Sequence, residues 1–191
     1  MEALRTFLNH SEGLSKNDMV FLIDHLEERR IKKGTVLFEQ GAVVTTIFFV
    51  STGILHHFNY TEKGEKKTID LHDAPCFCTD LESFTEGKLS KDSCVALTDA
   101  TIYVLTKEKY DALVNTNVKW SNFVKRVIEK TLVNILEQLK TIANKTIEER
   151  YLELVKTKPD IVQNTSVGIL ASYLGTSRET LHRIRKKHLF A

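Results

Sequence analysis

The period of apolar positions changes twice along this 191-residue chain. Over the first thirty residues it is helical: Met19, Leu22, Ile23 and Leu26 share one face, and Ser15 with Asp18 makes an S-x-x-D capping pattern ahead of them. From Ile31 the period shortens. The runs TVLF, TIFFVS, GILHHFNY, KKTIDLH, DSCVAL and TIYVLT are rich in β-branched and aromatic residues, with glycines as punctuation. Strands this short at this interval predict an antiparallel sandwich or small barrel over residues 31–106.

The helical period returns at TKEKYDALVNT. Between Val118 and Ile142 there is no proline or glycine, and Trp120, Val124, Val127, Thr131, Ile135, Leu139 and Ile142 recur at steps of three and four. That is a narrow seam on a helix of about 25 residues, roughly 37 Å long. Such a seam can pack on its own domain or pair with the same helix of a second copy. Its length and thinness, between two differently patterned regions, favour the second. IEERYLELV is a further helix ended near Pro159. The tail reads as two short helices, about Ser166–Tyr173 and Arg178–Lys187, joined by LGTS.

A tight turn at Gly175 between two short helices is a helix-turn-helix pattern, with Ser177 placed to cap the second helix. Leu170, Ala171, Leu174, Leu181 and Ile184 can fill the shared core, which leaves Arg178, Glu179, His182, Arg183 and Lys186 on the remaining surface. Arginine donates bidentately to guanine and glutamate accepts from cytosine, so Arg178, Glu179 and Arg183 are candidate base readers in a major groove. Ser177, Thr180, Lys186 and Lys187 are candidate phosphate contacts, which position without reading sequence. The plain alternative is an i,i+4 ion pair of Glu179 with Arg183 on a solvated helix.

Charge shifts the balance toward nucleic acid. Residues 1–106 carry 11 Lys+Arg against 16 Asp+Glu, a net of −5, whereas residues 107–191 carry 16 against 9, a net of +7. A basic second part joined to an acidic first part suggests a polyanion partner, here double-stranded DNA. With 42% hydrophobic and 27% charged residues the chain reads as a soluble globular protein. It has no apolar run long enough to span a membrane and no secretory pattern at its start, so a cytoplasmic location is expected. Cys76, Cys78 and Cys94 are an odd number without zinc-ribbon spacing. A structural role is the first expectation for them, a redox or metal role the alternative.

The stretch GTSRETLHRI resembles the recognition helix of the Crp/Fnr family of bacterial transcription regulators. The Ser-Arg-Glu-Thr-x-x-Arg core of its cyclic-AMP-responsive members is matched by Ser177, Arg178, Glu179, Thr180 and Arg183. The resemblance implies base reading by Arg178, Glu179 and Arg183 and phosphate binding by Ser177 and Thr180. KKGTVLFEQGAVVTTIFFVSTGILHHFNYTEKGEKKTIDLHDAP is similar to the family's jelly-roll sensor. The seam, Trp120, Val124, Val127, Thr131, Ile135 and Leu139, corresponds to its dimerisation helix. The implied architecture is α+β: a double-stranded β-helix (jelly roll), cyclic-nucleotide-binding-like sensor domain over 1–115, a dimerisation helix over 116–143, and a winged-helix-like helix-turn-helix domain over 144–191.

Two departures follow from the resemblance. Cyclic-nucleotide binders grip phosphate with a cassette of the type F-x-G-E-L-x-x-F…R-S/T-A, and this chain has FCTDLESFTEGKLSKDSCVAL there. Thr79 stands for the glycine, Asp80 for the glutamate, and Ser90 and Lys91 for the arginine and its neighbour. The bidentate cation is missing, so weak or absent cyclic AMP binding is expected, with another small molecule or none as effector. The sequence reaches KKHLFA where many members continue into a wing, which puts any wing contact to the DNA backbone in doubt, though not the helix itself.

A homodimeric regulator, not an enzyme, with no cofactor or metal and with RNA polymerase as a further candidate partner is thus the leading expectation. The rival is a small-ligand-binding or metal-dependent cupin-like β-domain with a solvated basic tail. A cupin wants an H-x-H pair, but His56 and His57 are adjacent and alternate in facing, so at least one is expected to meet solvent.

Overall fold

The computed structural model of the chain describes residues 4, 6, 16–116 and 118–189. Helix α1 (Lys16–His25) leads into strands β1 (Glu27–Ile31), β2 (Val36–Phe38), β3 (Thr46–Thr52), β4 (Ile54–Tyr60), β5 (Lys66–Asp73) and β6 (Cys76–Cys78). A short helix α2 (Leu81–Glu86) precedes β7 (Ser93–Ala96) and β8 (Ala100–Thr106). The strands pair antiparallel in two sheets, ordered β1-β8-β3-β6 and β2-β7-β4-β5. This is the sandwich that the short apolar runs predict.

Phe38, Phe48, Val50, Leu55, Ile102 and Val104 fill the space between the sheets. The outer faces are also covered. Phe49 and Tyr103 of the first sheet pack under α1, helix α3 (Lys107–Thr116) and the start of α4 (Val118–Asn144), through Leu22, Leu113, Trp120 and Phe123. Ile54 and Leu71 of the second sheet pack into the core of the C-terminal helices. Strands buried on both faces lose their polar alternation, which accounts for the near-continuous apolar run IFFV in β3.

That double burial corrects one expectation. His56, on the outer face, is 4% exposed and His57, on the inner face, is also largely covered, so neither is a solvent-facing histidine. Another correction lies at the start of the chain. The helical region ends at His25, and Glu27–Ile31 is a strand paired with β8. Its sequence EERRI carries no apolar alternation because it is an edge strand exposed to solvent, where charge also discourages pairing with another chain. The expected cap Ser15 lies outside the described residues.

Helix α4 continues for 27 residues. Trp120, Val124 and Val127, expected on the dimer seam, instead pack against the chain's own β-domain. Beyond them Ile128, Leu132, Ile135, Leu139 and Ile142 stand exposed at alternating steps of four and three. The seam therefore divides: its first turns serve the internal core, and the exposed heptad stripe begins one residue later.

Helices α5 (Ile147–Thr157), α6 (Pro159–Asn164), α7 (Val167–Leu174) and α8 (Arg178–Leu189) complete the described chain. Thr146 and Glu149 form a reciprocal capping box at the start of α5, and Pro159 occupies the first turn of α6, where its missing N–H costs nothing. Leu170, Leu174, Leu181, Ile161 and Ile184 form the shared core. Leu181 is fully buried, worth about 1.5–3 kcal/mol relative to leaving it in water.

Candidate nucleic-acid interface

The turn between α7 and α8 is fixed by backbone chemistry. Gly175 sits at φ 70°, in the left-handed region, and Thr176 N–H donates to Ala171 O at 2.9 Å. A Cβ at Gly175 would be strained in that conformation. Ser177 then caps α8, its Oγ accepting from Thr180 N–H at 3.2 Å. With Leu181 and Ile184 turned into the core, the opposite face of α8 presents Arg178, Glu179, His182, Arg183 and Lys186 to solvent.

Contacts among these residues hold the face in order. The Arg178 guanidinium lies across Gly168 of α7, where a Cβ would come within 2.6 Å of Nη2. The absence of a side chain there lets the arginine cross between the helices. Arg183 Nη2 donates to Thr180 Oγ1 at 3.2 Å. Glu179 turns back toward its own N–H and the Ser177 hydroxyl, which hold its carboxyl below the usual range. In this arrangement the plain i,i+4 pairing of Glu179 with Arg183 gives way to capping.

The far end of α8 is tied down. Lys187 Nζ and His188 Nε2 both reach Glu148 Oε1 of α5, at 2.7 and 2.6 Å, and the pair keeps the Glu148 carboxyl below its usual range. Lys187, a candidate phosphate contact, is therefore engaged within the chain. Two groups missed in the sequence support the same face from behind. Arg150 Nη2 donates to Leu174 O at 2.5 Å, closing the C-terminal end of α7, and Arg185 stacks over the Tyr151 ring. Both lie on α5–α8 packing surfaces that no local motif marks.

The helix-turn-helix is seated on the sandwich. Thr68 N–H of β5 donates to Ser172 Oγ of α7 at 2.9 Å, and Thr68 Oγ1 bonds His56 Nε2 at 2.9 Å. Burial, with Lys66 and His57 adding to it, lowers His56 to about 4.

The four candidate effector residues are brought together around α2. Asp80 caps that helix, Oδ1 accepting from Ser83 N–H at 3.0 Å, while Oδ2 accepts from the Ser90 hydroxyl at 2.6 Å. Thr79 Oγ1 donates to Thr46 O at 2.9 Å. Lys91 points outward to Glu82 at 3.6 Å with its side chain 80% exposed. The carboxylate and hydroxyl thus satisfy each other. A groove of about 620 Å³ elsewhere on the second sheet is lined by Phe58, Tyr60, Lys66 and Val95 among others, and by none of these four. Among the described residues no three His, Cys, Asp or Glu side chains are arranged to hold a metal ion, and no helix is long and apolar enough to cross a membrane.

Comparison with known proteins agrees with this layout. Residues 28–117 match the model of the cyclic nucleotide-binding domain. The chain is 21% identical to Electron transport regulator A of Shewanella oneidensis over 90% of its length and 72% of that protein. It is 22% identical to the Cyclic AMP receptor protein of Thermus thermophilus over 90% of its length and 81% of that protein. In fold it is similar to a Eubacterium rectale protein assigned to the crp/fnr family of transcriptional regulators, with a TM-score of 0.69 at 17% identity, covering 93% of this chain and 84% of that one.

Proposed function

We propose that this chain, with its cyclic nucleotide-binding domain and its Crp/Fnr-type fold and relatives, is a homodimeric, sequence-specific DNA-binding transcription regulator acting in the cytoplasm. The observation that carries the reading is α8: a capped helix whose exposed face holds Arg178, Glu179 and Arg183 together, each with a donor or acceptor group suited to a base edge. Ser177, Thr180 and Lys186 border that face and serve as phosphate contacts; Lys187 joins them on release from Glu148.

The second copy docks along Ile128, Leu132, Ile135, Leu139 and Ile142. Exposed apolar residues at heptad spacing on one helix call for an equivalent helix. Residues 1–115 act as the sensor, 116–143 as the dimer helix and 144–191 as the DNA head. Two such heads about 34 Å apart meet successive major-groove faces of a two-fold related site. RNA polymerase is the partner through which a bound dimer would act on transcription.

Cyclic AMP is not the effector in this reading. Asp80 and Ser90, which stand at the cassette's glutamate and arginine positions, hydrogen-bond each other, and Lys91 faces solvent, which supports this reading. An anion would have to displace that bond with no bidentate cation in return.

Selection from a random duplex library by the full-length protein, with and without cyclic AMP, tests this. A two-fold related motif enriched equally in both arms is expected. Enrichment only with the nucleotide would overturn the effector reading, and none in either arm would overturn DNA reading by the protein as purified.

A further inference from the structure

A cluster inside the sandwich has no part in the DNA reading. Cys78 of β6 and Cys94 of β7 lie on opposite sheets with their sulfurs 3.6 Å apart, 2% and 0% exposed. His72 of β5 contacts Cys78 and stands 3.7 Å from Asp70 through Nδ1. Its Nε2 is 3.5 Å from His57 Nδ1, and His57 Nε2 is 3.3 Å from Asp92. The side chains of His57, His72, Asp92 and Asp70 are 12, 16, 24 and 30% exposed, so the two carboxylates are the more exposed members of the cluster and the thiols its buried end.

We infer that Cys78 and Cys94 are a modification site: a dithiol that hydrogen peroxide converts to a disulfide bridging the two sheets. The hydrogen bond with Cys94 and burial hold Cys78 well above the ordinary thiol range, so it rests protonated and needs a neighbouring cation to ionise. His72 supplies that cation: against its burial, Cys78 and Asp70 raise it to about 9, so it stands protonated beside the sulfur and favours the thiolate.

In the first step Cys78 ionises beside the His72 imidazolium and the sulfur attacks one peroxide oxygen. The O–O bond breaks, an S–O bond forms, and the departing hydroxide takes up the proton that Cys78 released and leaves as water. In the second step Cys94 Sγ attacks the sulfenic sulfur, the S–O bond breaks, and the hydroxide leaves with the Cys94 proton as a second water. Two thiols are oxidised by two electrons and one peroxide is reduced to two waters.

The bridge would act where the fold is coupled. Closing the sulfurs from 3.6 Å to bonding distance, about 2.05 Å, ties β6 to β7 and closes a loop containing Thr79, Asp80, α2 and Ser90. β5 carries Asp70 and His72 on the inner face and Thr68 and Leu71 on the outer face, against α7. The modification stands without the DNA reading; its effect on the head does not need DNA to be measured.

The test is peroxide treatment of the reduced full-length protein with a chelator present, followed by intact mass and non-reducing tryptic mapping. Peptide 68–88 linked to peptide 92–107, with the protein lighter by two hydrogens and restored by dithiothreitol, is expected in wild type and in Cys76→Ser. Cys94→Ser should give no intramolecular link. His72→Gln should slow bridging by on the order of tenfold or more, because the forming thiolate loses its neighbouring cation. Amide exchange at Thr68 should change on bridging. Thiols left unmodified in the folded wild-type protein, a link through Cys76, or thiols shielded by a stoichiometric metal that the chelator must strip would each overturn the inference.

Discussion

Thr68 and Ser172, 104 positions apart in the chain, share a 2.9 Å hydrogen bond that joins the β-sandwich to the first helix of the helix-turn-helix. The donor is a backbone N–H in a part-buried place, so losing its acceptor leaves a group that water reaches poorly. Ser172→Ala should lower the unfolding free energy by about 1–2 kcal/mol. Amide exchange at Thr68 should accelerate, and urea unfolding with exchange mass spectrometry reads both.

Arg178 crosses Gly168, and the two can be tested together. Arg178→Ala and Arg183→Ala should each weaken binding to the selected duplex by about 1–3 kcal/mol and relax preference at one base position per half-site. Gly168→Ala supplies a better helix former but puts a methyl 2.6 Å from the guanidinium tip. It should leave stability equal or higher while reducing discrimination, since the flexible arginine end moves aside. Thermal unfolding beside duplex binding checks that split.

The exposed stripe on α4 predicts that charge placed on it will separate two copies. Leu132→Glu and Leu139→Glu place carboxylates where an apolar pair is expected. Each should shift sedimentation from dimer to monomer without lowering the monomer's own stability by more than about 0.5 kcal/mol, because both positions are exposed in the chain itself.

His56 gives a pH dependence with a defined sign. Its folded-state value of about 4 lies below its unfolded value near 6.5, so the unfolded chain binds more protons between them. Its contribution is complete above about pH 6.5 and is lost as pH falls toward 4, at up to about 1.4 kcal/mol per unit. Denaturant titrations from pH 7 to pH 4 should show that decline, and His56→Gln should flatten it.

Asp80 answers to two partners at once. Removing it in Asp80→Ala uncaps α2 and leaves the buried Ser90 hydroxyl without its closest acceptor. A loss of about 1–3 kcal/mol in urea unfolding is expected.

The parts of the fold legible in the sequence were those with a local signal. The strand runs, the unbroken α4 and the Gly175–Ser177 turn each follow from period, propensity or capping within a few residues. β1 was not legible, because EERRI is an edge strand whose pairing with β8 is decided far along the chain, from Glu27 opposite Val104 to Ile31 opposite Ala100. The seam was misread at Trp120, Val124 and Val127 for a related reason: periodicity shows that a face is buried, and not whether the chain or a second copy buries it. The mutual hydrogen bond of Asp80 and Ser90, and the burial of His56 beneath α7, depend on contacts across the fold that no spacing encodes.

The central claim is that α8 reads base sequence. Its most direct measurement is the affinity of the full-length protein for a library-selected duplex and for a scrambled duplex of equal length, across a salt series, with Arg178→Ala alongside. The account predicts a preference of about 10³-fold or more for the selected duplex, a steep fall of both affinities with salt, and a smaller preference in the variant. Equal affinity for both duplexes, unchanged by Arg178→Ala, would contradict it and leave α8 as a basic surface without a reading role.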